Sequence, residues 1–140
     1  MRHLGLLTLV VPDYDEAIAY YTGRLGFELR EDTALAPPEP PGKRWVVVAP
    51  GPGAQTGLLL ARAANDRQRE RVGDQTGGRV GFFLYTDDFE ADFRRFTEAG
   101  VTIEKAPRDE RYGRVAVFTD LYGNRWDLIQ PAQGSGSPSA

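Results

Sequence analysis

The sequence contains no cysteine and only one histidine, His3, among its 140 residues. Without cysteine the chain can form neither disulfides nor thiolate metal sites, and it has no thiol nucleophile. A single histidine excludes any metal site that needs two histidines from one chain, and it leaves histidine-dependent catalysis with one candidate. Because His3 precedes the first strand-like segment, we expect it to be exposed.

The sequence also lacks long apolar runs and an excess of positive charge. The apolar stretch Leu4–Val11 ends after eight residues at Pro12, short of the roughly 20 residues of a membrane helix and without the cleavage site of a signal peptide. The formal net charge is −3, from 17 basic and 20 acidic side chains, so attraction to nucleic acid is not expected. We therefore expect a cytoplasmic protein with no membrane or nucleic-acid partner.

The composition is that of an ordinary folded protein, with 41% hydrophobic and 26% charged residues. A chain of 140 residues fits one domain. On folding, such a chain buries roughly two-thirds of the surface that it exposes when unfolded. We predict a single domain over residues 1–131 and a flexible tail, rich in Gly and Ser, over residues 132–140.

The same order of elements occurs twice along the chain. The β-branched run Leu6–Val11 precedes a helical stretch over Asp15–Arg24, and the run Val80–Thr86 precedes a helical stretch that ends at Ala99. Four identities 74 residues apart align the two halves: Asp13 with Asp87, Glu16 with Glu90, Ala17 with Ala91, and Gly26 with Gly100. An internal duplication explains both observations.

Residues suited to helix ends flank both helical stretches. Asp13 is suited to cap the first helix, and either Asp87 or Asp88 is suited to cap the second. Gly26 and Gly100 stand where a left-handed residue would end each helix.

Three strand-like segments follow each helix. In the first half they are Phe27–Arg30, Arg44–Ala49 and Thr56–Arg62, and in the second half Val101–Glu104, Arg114–Thr119 and Arg125–Gln130. We therefore predict an α+β fold built from two tandem β-α-β-β-β modules, over residues 4–62 and 79–131.

Three segments are predicted to connect these elements. Pro37–Gly42 indicates a loop, and residues 63–78 indicate a linker with one helical turn. The charged segment Pro107–Gly113 indicates a loop before a strand, which is either a lid over a cavity or a solvated connector.

Two motifs carry a family resemblance. Residues 13–21, DYDEAIAYY, with LGF at 25–27, are similar to the opening D-x-x-x-A-x-x-F-Y … L-G-F of the vicinal oxygen chelate superfamily. Residues 120–128, DLYGNRWDL, are similar to its ending D-P-x-G-N-x-x-E-L. The superfamily includes glyoxalases, bleomycin-resistance proteins and extradiol dioxygenases. The resemblance covers residues 5–131 and implies an open barrel around a small-molecule cavity, in a chain that pairs as a homodimer.

The resemblance also implies where a metal would bind. Metal-using members place His or Glu ligands on the inner faces of their strands. Here the corresponding positions are Leu6, either Gly81 or Val80, the segment Leu58–Leu60, and Asp127. Only Asp127 offers a donor, and one carboxylate cannot hold a divalent ion tightly. We therefore predict no metal site and no cofactor.

Strand alternation selects the residues that would line the cavity. The predicted ligand-binding residues are Thr8, Trp45, Phe83, Tyr85, Arg114, Arg125 and Asp127. Some of these have structural alternatives: Tyr85 as a core aromatic, Trp45 as a packing residue, and Arg114 paired with Asp127 in a salt bridge. Trp126 alternates with Asp127, so we expect it to pack beneath the helices.

The catalytic residues, if any exist, are unknown, and Asp127 is the only candidate acid or base. Left unpaired in an apolar cavity, its carboxyl would have a raised pKa. The first interpretation is a metal-independent protein that binds or sequesters a small organic molecule. The second is a lyase, isomerase or dioxygenase of the same superfamily with an altered site. The third is an interaction module without a ligand, which a cavity packed solid by Leu6, Leu59 and Phe83 would favour.

Overall fold

The computed structural model describes residues 1–133, which divide into two compact units, the first ending at Gln75 and the second beginning at Thr76. The first unit contains β1 (Leu6–Val11), α1 (Tyr14–Gly23), β2 (Glu28–Ala34), β3 (Arg44–Ala49), β4 (Gly57–Arg62) and the single turn α2 (Asp66–Arg69). The second unit contains β5 (Val80–Tyr85), α3 (Phe89–Glu98), β6 (Thr102–Glu110), β7 (Gly113–Thr119) and β8 (Arg125–Pro131). The predicted tail lies outside the described residues from residue 134 onward.

The two units have the same sheet topology. Each has one four-stranded sheet, in the order β1-β4-β3-β2 in the first and β5-β8-β7-β6 in the second. The strand before the helix runs parallel to its neighbour, β1 to β4 and β5 to β8, and the other pairs are antiparallel. This repetition confirms the predicted α+β fold with two β-α-β-β-β modules. Within residues 1–133, no helix is long and apolar enough to cross a membrane.

Side-chain caps begin both long helices. The carboxylate of Asp13 accepts a hydrogen bond from the backbone N–H of Glu16 at 2.8 Å, as predicted. At α3 the capping residue is Asp88, which accepts from the N–H of Ala91 at 3.2 Å, so Asp88 takes the position for which Asp87 was the alternative. The predicted left-handed glycine after α3 is Gly100, with a φ of 82°.

Aromatic side chains form much of the core of the second unit. Phe96 of α3 contacts Phe118 of β7, with ring centroids 5.1 Å apart, and Phe118 stacks on Trp126 of β8 at 5.7 Å. Phe82 of β5 stacks on the same indole at 4.6 Å. Trp126 is buried, as predicted, and it connects three strands to the helix through this cluster.

The segment after β4 belongs to the first unit. It contains the predicted helical turn, α2, and ends at Gln75. The side chain of Gln75 accepts a hydrogen bond from Val10 N–H at 2.9 Å and donates one to the carbonyl of Thr8 at 2.6 Å. Gln75 therefore forms hydrogen bonds with backbone groups of β1 on the edge of that strand that faces away from β4.

The prediction of a loop over Pro107–Gly113 is wrong for most of that segment. Strand β6 continues to Glu110, and only Arg111 and Tyr112 form the turn into β7. β6 is the outer strand of its sheet and pairs with β7 through two register shifts, so most of its side chains are exposed. Charged residues without alternation are compatible with such an edge strand, although in the sequence they look like a loop.

The backbone conformation at the start of β7 and the close contact there require glycine at position 113. Gly113 has a φ of 151°, and a Cβ there would lie 2.2 Å from the carbonyl oxygen of Gln130. We expect Gly113→Ala to lower the free energy of unfolding by about 2 kcal/mol or more, measured by urea denaturation. The control is Gly23→Ala within α1, where a Cβ would meet nothing within 4 Å. That variant should gain up to about 1 kcal/mol from helix propensity. Equal stability of the two variants would contradict the prediction.

Candidate functional site

Alternation along the strands gives the first sheet a buried face and an open face. On β1, Leu9 and Val11 are completely buried, whereas Thr8 is exposed. Thr8 lies opposite Leu59 of β4, and Leu59 lies opposite Val47 of β3. Paired residues of neighbouring strands project from the same side of a sheet, so these three side chains share one face, on which Thr8 is exposed and Val47 is buried.

A cavity of about 560 Å³ opens on the first unit. Its lining includes Thr8, Trp45 and Leu59 from the strands, Pro40 and Pro41 from the segment before β3, and Gln68 from α2. This volume lies in the range of small-molecule sites, roughly 300–1,000 Å³. Two predicted ligand-binding residues, Thr8 and Trp45, therefore lie in one cavity. Trp45 keeps 37% of its surface exposed, so its ring is accessible to a ligand.

An arginine at the start of β3 connects the sheet to the first helix. The Arg44 guanidinium forms ion pairs with Asp15 of α1 at 2.9 Å and with Asp32 of β2 at 2.8 Å. It lies 5.0 Å from the centre of the Tyr14 ring, and the Tyr14 hydroxyl accepts a hydrogen bond from the Arg44 N–H at 3.1 Å. The hydrogen bond from Arg44 holds the pKa of Asp32 below its ordinary value. The charge of Arg44 is therefore compensated within the protein.

The same arrangement recurs in the second unit at Arg114. Its guanidinium forms ion pairs with Glu90 of α3 and Asp109 of β6, both at 3.0 Å, and lies 5.3 Å from the centre of the Phe89 ring. The alternative that paired Arg114 with Asp127 is wrong. Asp127 lies opposite Val117 of β7, and a residue three positions from Val117 projects from the other side of the sheet.

Two predicted aromatic residues lie on the open face of the second sheet. Phe83 of β5 lies opposite Asp127 of β8, and Tyr85 follows two residues later on the same side. Phe83 is 58% exposed and Tyr85 is 45% exposed, so the alternative of Tyr85 as a core aromatic is wrong. This face carries aromatic surface beside a carboxylate.

Asp127 is half-buried among positive charges. Burial raises the pKa of its carboxyl above the ordinary value, and the charges of Arg108, Arg125 and Lys105 oppose part of that rise. The net rise favours a carboxyl that holds its proton more tightly than a free aspartate does. Such a group can act as an acid or base at a higher pH than an ordinary aspartate.

Arg125, another predicted ligand-binding residue, is already occupied by neighbouring groups. Its guanidinium donates to both carboxylate oxygens of Glu104, with Nε at 3.0 and 3.1 Å from them, and to the carbonyl of Gly78 at 2.9 Å. The hydrogen bond from Arg125 holds the pKa of Glu104 below its ordinary value. Arg125 therefore stabilises β6 against β8 and contributes a compensated charge to the open face.

The positions implied for a metal do not fit one. β5 takes an extra residue between Val80 and Phe82, so Val80 pairs with Arg125 and Phe83 pairs with Asp127. Any side chain at Gly81 would place its Cβ 2.7 Å from Cγ2 of Thr76. In the part of the chain that the structure describes, no three His, Asp or Glu side chains converge. Asp127 alone leaves most of the coordination sphere of a divalent ion without protein donors.

Two further expectations concern exposure. His3 is exposed, as predicted. The solid packing that would have favoured an interaction module is not found: Leu6 is 37% exposed, Leu59 lines the cavity, and Phe83 is a surface residue.

The residues that sequence reasoning missed are three cations and Tyr14 in the lining of the cavity. Lys43, Arg44 and Arg62 line it together with Tyr14. The available signal was a charged residue at one end of each strand that carries Trp45 or Leu59, since Arg44 begins β3 and Arg62 ends β4. Antiparallel pairing of β3 with β4 brings such ends together.

Comparison with known proteins agrees with this architecture. The Glyoxalase/Bleomycin resistance protein/Dioxygenase superfamily matches residues 3–128. A protein of Shewanella frigidimarina (strain NCIMB 400) is 50% identical over 124 residues, which are 89% of this chain and 90% of that protein.

Solved structures are similar over nearly their whole length. UcmS2 has a TM-score of 0.78 at 28% identity and covers 92% of this chain and 98% of its own. TnmS3, an antibiotic binding protein from Streptomyces sp. CB03234, has a TM-score of 0.73 at 32% identity and covers 94% of this chain and 98% of its own. The sequence match, the solved structures and the duplicated β-α-β-β-β topology agree: the chain belongs to the Glyoxalase/Bleomycin resistance protein/Dioxygenase superfamily.

Proposed function

We propose that this protein binds a small organic molecule without a resident metal ion. The observation that carries the proposal is the cavity of about 560 Å³ in the first unit. Its surface combines the exposed ring of Trp45 and the aliphatic side chain of Leu59 with a few polar groups, among them Thr8. Small-molecule sites commonly have this mixture of apolar area and sparse polar contacts.

An aromatic ligand suits this cavity best. Trp45 offers a flat face for stacking, and the proline rings of Pro40 and Pro41 add rigid apolar walls. The similar protein TnmS3 is described as antibiotic binding, which agrees with a ligand-binding role for this fold. Binding alone is a sufficient function. A protein that sequesters a small molecule lowers the free concentration of that molecule by mass action, and this needs no catalytic group.

The same proposal includes a homodimer. β1 and β5 are outer strands of their sheets and carry exposed apolar side chains, including Leu6, Leu7 and Phe83. Exposed apolar surface on a sheet edge is commonly covered by a partner. A second copy of the chain is the partner that the family resemblance implies.

A second candidate function is enzymatic, and Asp127 is the observation that favours it. Its carboxyl lies opposite the exposed ring of Phe83, with a pKa raised by burial. A substrate lying on this face would meet a carboxyl suited to proton transfer. The candidate reaction classes are those of the superfamily that do not need several metal ligands.

The binding proposal predicts a localised response of one tryptophan. The chain has two tryptophans, the exposed Trp45 in the cavity and the buried Trp126 in the core of the second unit. On addition of 2-naphthamide, a neutral aromatic probe, we expect the indole N–H resonance of Trp45 to shift in ¹H–¹⁵N spectra and that of Trp126 to stay in place.

Calorimetry then measures the contribution of the ring. We expect Trp45→Ala to weaken 2-naphthamide binding about tenfold, since an aromatic contact and its buried area are lost. The control is Leu29→Ala, which removes an exposed apolar side chain of β2 outside the cavity lining. An unshifted Trp45 resonance, or equal weakening by both substitutions, would contradict the proposal.

The dimer predicts a particle of twice the chain mass of 15.5 kDa in light scattering coupled to gel filtration. We expect Leu7→Glu on β1 to raise the dimer dissociation constant about tenfold or more, because a charge replaces apolar surface. The control Leu121→Glu places the same charge at an exposed leucine in the turn before β8. A monomeric wild-type protein would overturn the prediction.

The raised pKa of Asp127 predicts a pH-dependent cost to stability. As pH rises, the unfolded chain ionises near its ordinary pKa of about 4 while the folded carboxyl still holds its proton. Stability is therefore lost from that pH up through the raised pKa, and the cost is constant above it. We expect Asp127→Asn to unfold at higher urea concentration than wild type at pH 7, with the difference vanishing near pH 3. Glu70→Gln, at an exposed carboxylate after α2, is the control for loss of one surface charge. A destabilised Asp127→Asn at pH 7 would remove the basis for the second candidate.

A further inference from the structure

The lining of the cavity contains basic side chains and no carboxylate. Three of its lining residues are cations, Lys43, Arg44 and Arg62, and none is Asp or Glu. A cation in a cleft attracts negatively charged ligands most strongly where no neighbouring carboxylate compensates its charge.

Two of these cations are compensated by neighbouring carboxylates. Arg44 pairs with Asp15 and Asp32, and Lys43 pairs with Glu39 at 3.0 Å. Their ionic interactions are therefore already satisfied, at least in part, within the protein.

Arg62 differs from both. Among residues 1–133 it forms no ion pair with a carboxylate, and its one hydrogen bond donates from Nη2 to the carbonyl oxygen of Gly42 at 3.2 Å. Its guanidinium carbon lies 5.0 Å from the centre of the Tyr14 ring. This contact orients the guanidinium and adds no negative charge, so the remaining N–H donors stay available to a ligand.

The turn before β3 holds the guanidinium in place. Gly42 has a φ of 83°, and a Cβ there would lie 3.1 Å from Nη2 of Arg62. A larger residue at position 42 would press on the guanidinium, so glycine permits the close approach of backbone and side chain. Arg62 is therefore oriented on two sides, by a carbonyl and by an aromatic ring.

We infer that the cavity prefers aromatic carboxylates, with Trp45 stacking on the ring system and Arg62 binding the carboxylate. This inference rests on the proposed binding function and adds the charge of the ligand to it. A guanidinium presents its donors in a planar fork that matches the two oxygens of a carboxylate. Both residues line the same cavity, Trp45 from the side of the sheet that carries Leu59 and Arg62 from the end of β4 beside Tyr14 of α1, so a ligand bound by both spans the end of that strand.

The experiment compares two probes of one shape, 2-naphthoate and 2-naphthamide, by calorimetry on the full chain at pH 7. We expect naphthoate to bind about five- to tenfold more tightly, the range of one charge-assisted contact at a partly exposed site. We expect Arg62→Gln to remove this preference by weakening naphthoate alone, and Arg62→Lys to retain part of it. Arg95→Gln, which removes an exposed arginine of α3, is the control for loss of charge and should leave both affinities unchanged.

Two further measurements separate a ligand contact from a structural role. The preference for naphthoate should shrink in high salt, whereas 2-naphthamide binding should not change in parallel. Gly42→Ala should lower the preference while Arg62 itself is retained, because the added Cβ displaces the guanidinium.

The outcomes test the preference for carboxylates separately from the proposed binding function. Equal affinity for the two probes, or equal weakening of both by Arg62→Gln, overturns the preference for carboxylates and leaves the binding proposal standing. If neither probe binds and the Trp45 resonance does not move, both are overturned.

Discussion

Each sheet of this protein buries one face and leaves the other partly open, and the candidate site depends on this difference in burial between the two faces. A strand with alternating side chains can serve two different environments, but only if its register is fixed. In the first unit, buried Leu9 and Val11 alternate with exposed Thr8, so burial of one side determines which side chains can meet a ligand. The hydrophobic effect that folds the module therefore also positions its cavity.

An arginine at the same place in each module, Arg44 in the first and Arg114 in the second, connects the helix to the sheet. Arg44 and Arg114 lie at the first and second positions of the third strand in their modules, and each binds a carboxylate on the helix and another on the neighbouring strand. Such pairs are partly exposed, and individually they contribute little to stability. Because each joins three elements, they favour one orientation of helix against sheet. The equivalent positions of the two arginine clusters are stronger evidence for the internal duplication than the four sequence identities between the two halves.

Much of the fold could be predicted because local rules determine it. Asp13 and Gly100 act at helix ends through short-range geometry, and the buried position of Trp126 follows from alternation on one strand. The length of β6 could not be predicted, because its pairing partner and two register shifts extend it through a charged segment.

The candidate site could be predicted only in part. Alternation predicted a shared surface for Thr8 and Trp45, and both line one cavity because β1 and β3 each pair with β4. The contribution of Arg62 depends on how the chain from Pro40 to Gly42 crosses the end of β4, which no periodicity encodes. The partners of Arg114 were missed for a similar reason, since a register that was not fixed left its side of the sheet open.

The side chain of Gln75 limits the ways in which copies of this chain can associate. Its amide occupies the Val10 N–H and the Thr8 carbonyl on the outer edge of β1, the groups that an added strand would need. A neighbouring molecule cannot extend the first sheet at this point unless it displaces the glutamine. Association along β1 must then proceed through side chains, whose identity can discriminate between partners, because the backbone edge that would accept any strand is closed there.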